Sequence, residues 1–407
     1  MLNIEERFLR YCQIDTQADD NSITAPSSAK QWDLLNLLKG ELDELAIPLY
    51  LSLDGILYAH LASNSKIKTD KIGFVAHVDT ALEASGKNVQ PQLIRNYQGE
   101  DIALGTSGKA LQQKDFPLLK RVIGEDIITT NGNTLLGADD KAGIAIIIEL
   151  ITHLINHPEI VHGDLYFAFT SDEEIGRGVD HFDFAHFPAD FAYTIDGGDI
   201  AAVNYENFNA ASAIVSFTGR AIHPGSAKGR LINASRLAME FDSYLPSAEL
   251  PELTDDYQGF HHLVAMEGAV EKALSHYIIR NHDQAIFARM KQDFLIAEQK
   301  MNTLYQQVVV SVELKDTYYN MGPLFSHDRR ALKLVEEAFK QNEQELIYLP
   351  IRGGTDGARL AFNGLLTPNL GTGGYYAHGP YEFVSLTQMQ KMVQILLCLV
   401  TLSSAQK

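Results

Sequence analysis

Between Ser28 and Leu45 the apolar residues recur three and four positions apart, a spacing that predicts an amphipathic helix. Short runs rich in β-branched and aromatic residues follow. KIGFVAHVD around residue 75, DLYFAFT at 164–170 and DFAYTID at 190–196 each read as a strand. Before the last two comes AGIAIIIELITHLI (142–155), too long for a strand and apolar on nearly every side, which predicts a buried helix. Strands alternating with helices imply an α/β fold with a largely parallel central sheet flanked by helices.

The pattern changes after Asp196. ASAIVSFTG (211–219) reads as a strand and 233–245 as a helix, followed by a loop rich in Pro and Glu. Residues 284–301 read as a second helix and VVVSVELKD (308–316) as a second strand. This β-α-α-β stretch is expected to be a smaller α+β domain at 206–322, interrupting a larger one formed by 1–205 and 323–407. Helix and strand then alternate again up to an apolar helix from about Leu386. The most apolar stretch of that helix, Val393–Leu402, is too short to span a bilayer and contains Gln394, so no membrane span is expected. The beginning, MLNIEERFLRYCQ, carries acids early and shows no apolar core of a secretory leader.

Charge narrows the class of partner. Over 407 residues, 33 basic side chains face 52 acidic ones, a formal net charge of −19. That balance argues against nucleic acid or an anionic membrane as partner. With 45% hydrophobic and 21% charged residues, the chain can bury a substantial core. Cys12 and Cys398 lie at opposite ends, each in a helix-like apolar pattern. Two buried thiols, no disulfide framework and a reducing, cytoplasmic setting are expected.

The candidate chemistry sits at strand ends. His77 and Asp79 are two apart in HVD, so they share a face, and Asp79 can orient the imidazole while its other nitrogen binds a metal. Asp139 and Asp140 stand in a turn just before the buried helix. One acid would serve as a cap; two adjacent carboxylates repel, and a carboxylate bridging two cations would explain the pair. Asp172, Glu173 and Glu174 follow a strand directly, at the sheet edge where α/β proteins bind ligands, and neighbouring acids there can hold different jobs. Asp196 ends another strand before Gly-Gly, and His378 lies in a Gly/Tyr loop before the last helix. Histidines and carboxylates together make a zinc-type ligand set, and two metals sharing a carboxylate is a hydrolytic device. Other motifs fail. GTSGKA (105–110) has Ala103 where a phosphate loop needs its first glycine and Ala110 where it needs Ser or Thr, and neither G-x-S-x-G nor H-E-x-x-H occurs.

In order along the chain, HVDT, GADDKAG, DEEIGRG, IDGGD, HPGSAKG, RGGTDGA and HGPYEF resemble the dizinc aminopeptidase/aminoacylase superfamily. NYQGEDIAL (96–104), ENFNAAS (206–212) and HYIIR (276–280) narrow the likeness to its tripeptide-aminopeptidase branch, over essentially the whole chain. Ser171 is a small departure, standing where relatives often have Pro. The resemblance implies two Zn2+ per subunit, with Co2+ or Mn2+ as substitutes. His77 and Asp196 would hold the first ion, Glu174 and His378 the second, with Asp139 bridging. Asp79 would orient His77, and Glu173 would be the general base that deprotonates a zinc-activated water and returns the proton to the departing amine. His223, held out of helix by Pro224, would help hold the oxyanion, reaching in from a partner subunit. Arg280 or Arg352 would clamp a peptide's C-terminal carboxylate. The expected activity is release of the N-terminal residue from tripeptides, the expected assembly a homodimer through the inserted lid. The alternatives are a dipeptidase or N-acyl-amino-acid deacylase of the same superfamily, or a non-catalytic metal-binding dimerisation protein.

Overall fold

Three apolar runs lie side by side in the computed structural model, which describes residues 2–405. Ile72–His77 pairs in parallel with Leu165–Thr170 on one side and Phe191–Ile195 on the other. Every residue of the three is buried, as strands covered on both faces require. They form the middle of an eight-stranded sheet in the order 49–51, 57–61, 165–170, 72–77, 191–195, 369–370, 202–204, 347–348. Antiparallel pairs occur at the 49–61 edge and between 202–204 and 369–370; the other pairings are parallel.

The helix Ala138–Asn156 lies on this sheet, against strands Ile72–His77 and Phe191–Ile195, and also packs on helices Ile4–Cys12 and Leu386–Ala405. Ile144, Ile146, Ile147, Ile148 and Ile151 are buried on every side of it, which is why its sequence shows no polar stripe. Gly143 sets how near it can come. A Cβ there would stand 1.8 Å from the Ile195 carbonyl oxygen and 2.4 Å from Asp140 Oδ1. The helix Leu386–Ala405 is longer than the apolar stretch read in the sequence, and by length and composition it could cross a membrane. Its Met389, Met392, Leu396, Leu399 and Val400 are instead buried within the protein, as in a core helix. Both cysteines are free; Cys12 is buried as expected, whereas Cys398 is only half-buried, because it lies off that helix's most buried stripe.

The chain separates into two compact units. The first takes in the chain up to Tyr205, Leu324–Tyr348 and the chain from Thr355 onward; the second is Glu206–Pro323 with Leu349–Gly354. The second unit is a four-stranded antiparallel sheet in the order Phe260–Gly268, Lys272–Asn281, Asn209–Thr218, Val310–Tyr318. Helices Ala234–Asp242 and Gln284–Tyr305 contribute Phe241, Phe287 and Phe294 to a core with Val215, Phe217 and Tyr277. The order is therefore β-α-β-β-α-β, not the expected β-α-α-β. The hairpin 260–281 shows no clear strand pattern because Phe260–Gly268 is a largely exposed edge strand and Lys272–Asn281 buries the polar Ser275 and Asn281.

Two substitutions test the close helix–sheet approach. Gly143→Ala is expected to lower stability by about 1–3 kcal/mol or more, because backbone must move. Gly40→Ala, on the exposed face of helix Gln31–Glu44 with nothing within 4 Å of the new methyl, is expected to raise it by about 0.5–1 kcal/mol. Urea unfolding of both variants checks the pair; equal effects would refute the packing account.

Candidate metal centre

Parallel strands deliver their C-terminal ends to one edge, and three chemistry-bearing strand ends meet there. His77 closes its strand, Asp79 follows it, Glu173 and Glu174 follow Thr170, and Asp196 follows Ile195. Asp139 comes from the entrance of the buried helix, where its φ of −86° and ψ of 103° lie outside the helical range. His378 comes from the loop before the last helix, with φ at +66°, a conformation uncommon outside glycine.

These side chains form two triplets that share one member: His77, Asp139 and Asp196, and Asp139, Glu174 and His378. Asp139 Oδ1 lies 3.0 Å from His77 Nε2, which is 3.8 Å from Asp196 Oδ1. Asp139 Oδ2 lies 3.6 Å from His378 Nε2, which is 3.1 Å from Glu174 Oε2. Ligands 2.0–2.1 Å from a tetrahedral zinc stand roughly 3.3 Å from one another, so each triplet has the spacing of a cation's donor set. Glu174 Oε1 is buried without a hydrogen-bond partner, an acceptor left for something else to satisfy.

A second group of acids fixes the first in place. Asp79 is wholly buried; its Oδ1 stands 3.3 Å from His77 Nδ1. The same carboxylate accepts the backbone N–H of Glu173 and of Glu174, each at 3.0 Å, so it orients the turn as well as the imidazole. Asp140 accepts the His77 N–H at 3.2 Å and the Gly143 N–H at 3.1 Å. Asp172, at φ +64°, accepts from the Ser27 N–H and hydroxyl and from Gln31 Nε2, anchoring the acidic turn. Glu382 accepts the N–H groups of Leu136, Gly137 and Asp139. Asp356, buried beside Gly178, accepts the Thr170 hydroxyl at 3.2 Å. Sequence reading missed Glu382 and Asp356 as parts of the site, although HGPYEF and RGGTDGA carry them.

So many carboxylates in one place draw protons to their neighbours. Bonds to Asp139 and Glu174 push His378 up to about 11. Burial works against charge on His77, yet the Asp139 and Asp79 carboxylates outweigh it and raise its pKa. Burial would raise Asp139 too, but the His378 and His77 imidazoles hold it below the usual carboxylate range. Burial lifts Asp196, with Asp139 adding to the effect, and lifts Glu173, with Asp356 adding to it. The cluster is short of positive charge, which biases both imidazoles towards the protonated form.

The remaining predicted residues lie in the second unit. His223 is exposed at the head of the short turn Pro224–Ser226, in extended backbone as Pro224 requires, with Nδ1 accepting the Gly225 N–H at 3.2 Å. Arg280 donates through Nη1 to the Ala211 and Ile279 carbonyls and lies over the Tyr318 ring. Arg352 commits both terminal nitrogens, to Asp256, Gln258 and Thr254.

The model of Peptidase family M20/M25/M40 matches residues 130–402. Peptidase T of Clostridium perfringens (strain 13 / Type A) is 48% identical over 398 residues, 98% of each chain. Peptidase T of Staphylococcus aureus (strain Newman) is 45% identical over 395 residues, 97% of each. Among solved structures, a tripeptidase from S. aureus has a TM-score of 0.79 at 19% identity, covering 99% of this chain and 98% of its own. Aminopeptidase PepT from Bacillus cereus has a TM-score of 0.76 at 20% identity with the same coverage. A dinuclear metal binding peptidase of the M20 family from Bacillus subtilis has 0.63 at 13%, covering 98% and 97%. At these identities the three structures speak for the fold.

Asp356 offers a pH test. Burial pushes it up to about 6, with His77 pulling down and Asp79 pushing up. The folded chain therefore keeps a proton that the unfolded chain releases from about pH 4, and this group costs stability as pH rises through that window to about 6. In metal-depleted protein, the stability gained by Asp356→Asn is expected to grow between about pH 4 and pH 7. Urea unfolding across that range measures it; a pH-independent difference would contradict the assignment.

Proposed function

The chain belongs to Peptidase family M20/M25/M40 and is a metal-dependent peptidase; from that premise we propose a two-metal aminopeptidase that releases the N-terminal residue of tripeptides. The observation that carries the reading is Asp139, which turns one carboxylate oxygen towards each donor triplet. Proteins named Peptidase T, identical at nearly half of all positions over nearly the full length, support the tripeptide as substrate.

The donor set fits two divalent cations: borderline nitrogen and oxygen ligands, an unpartnered buried Glu174 oxygen, and imidazoles that otherwise hold protons. His77, Asp139 and Asp196 would hold one ion and Asp139, Glu174 and His378 the other, zinc first and cobalt or manganese as substitutes. When bound, the ions supply Lewis acidity towards the scissile carbonyl and acidify water. Glu173, next to the ligand Glu174 in the chain and fixed through its N–H by Asp79, takes the proton of the attacking water and returns it to the departing amine. Asp79, beside Nδ1, would leave His77 Nε2 as the nitrogen available to hold an ion. For the substrate's C-terminal carboxylate we choose Arg280, since Arg352 is already committed to Thr254, Asp256 and Gln258. The second unit is proposed as the lid and homodimerisation unit, with His223 on the oxyanion. The setting proposed is cytoplasmic.

A panel of di-, tri- and tetrapeptides and N-acetyl amino acids, before and after chelation and with metal add-back, tests the reading. Metal-dependent cleavage greatest on tripeptides is expected; preference for N-blocked substrates would overturn it. Glu173→Gln is expected to keep its metal content while kcat falls about 10²–10⁴-fold. Retained activity would remove Glu173 as the base.

A further inference from the structure

The helix that presents Asp139 has a poor start of its own. Its N-cap position is Gly137, at φ +79°, with no side chain to accept the first N–H groups. Asp139 and Asp140 are outside helical φ and ψ, so the helical ladder does not fix the shared ligand. Unpaired N–H groups at a buried helix start need an acceptor from elsewhere. Glu382, 1% exposed, supplies it. Its Oε2 accepts from Leu136 at 2.7 Å and Gly137 at 2.8 Å, and its Oε1 accepts from Asp139 at 3.1 Å.

We propose that Glu382 is the positioning residue of the Asp139 carboxylate. One side chain grips three N–H groups in the segment that ends at the shared ligand. Glu382 also follows His378 by four residues in the same loop. It thus ties the segment bearing one donor of the second triplet to the segment bearing the donor common to both. Glu382 belongs to neither donor triplet, so its part is to hold the backbone that carries the shared one. An amide in its place keeps the shape but turns an NH2 towards at least one N–H, which breaks the grip on one side. Because Asp139 belongs to both triplets, loosening it affects both ions together.

The inference rests on the two-metal reading, and the experiment separates the two. Metal-stripped wild-type protein and Glu382→Gln are titrated with zinc by calorimetry, and with cobalt followed by its visible absorption. The Gln variant is expected to bind zinc about 10–100-fold more weakly at both sites, with an altered cobalt spectrum. Its kcat on a tripeptide is expected to recover at saturating zinc with KM unchanged. If Glu382→Gln does not fold, Glu382→Asp, one methylene too short to reach all three N–H groups, is read by the same titrations. Wild-type affinity and spectrum, with only a lower melting temperature, would make Glu382 a plain helix cap and overturn the proposal. If wild-type protein binds a single ion, the two-metal reading falls, and Glu382 is still judged by whether its variants weaken that ion.

Discussion

The rest of the structure answers to the cost of holding Asp79, Asp139, Glu173, Glu174 and Asp196 together at one sheet edge, where water solvates them poorly. A buried carboxylate needs hydrogen-bond donors, and burial raises its pKa even where it has them, as at Asp140 and Glu382. The protein divides its acids accordingly. Asp79, Asp140, Asp172 and Glu382 are satisfied by backbone N–H groups and a few side-chain donors, and so become struts. Glu174, Asp139 and Asp196 are left facing imidazoles and one another. The satisfied acids fix geometry, and the unsatisfied ones create the demand for cations.

The fold supplies the means. A parallel sheet brings the ends of non-adjacent segments to one edge, so residues 77, 173, 174 and 196 meet without long loops. The close approach of the buried helix at Gly143 brings Asp139 to the same edge. At the site, His378 and Asp172 both take left-handed backbone, which aims their side chains and is uncommon outside glycine.

Much of this was legible in the chain itself. The parallel strands and the buried helix announce themselves by uninterrupted apolar runs, and the ligand candidates stand directly at the ends of those runs. What was not legible depends on partners far away. Glu382 looks like any loop acid until its carboxylate is seen on N–H groups 243 to 246 residues earlier, and backbone donors leave no trace in sequence. Asp140 has no role that its sequence neighbours reveal for the same reason, since its partner is the His77 N–H. The small sheet in the order 374–375, 383–385, 127–129, 92–94 has strands of two or three residues, too short to show a period. Arg280 and Arg352 matched equally well as motifs; only their hydrogen bonds distinguish them.

The most direct measurement is the anomalous scattering of crystals soaked in zinc, collected on both sides of its absorption edge. The account requires two peaks about 3.5–4 Å apart, each in contact with one oxygen of Asp139. A single peak, or a pair in which Asp139 touches only one ion, would contradict the claim that this carboxylate is shared.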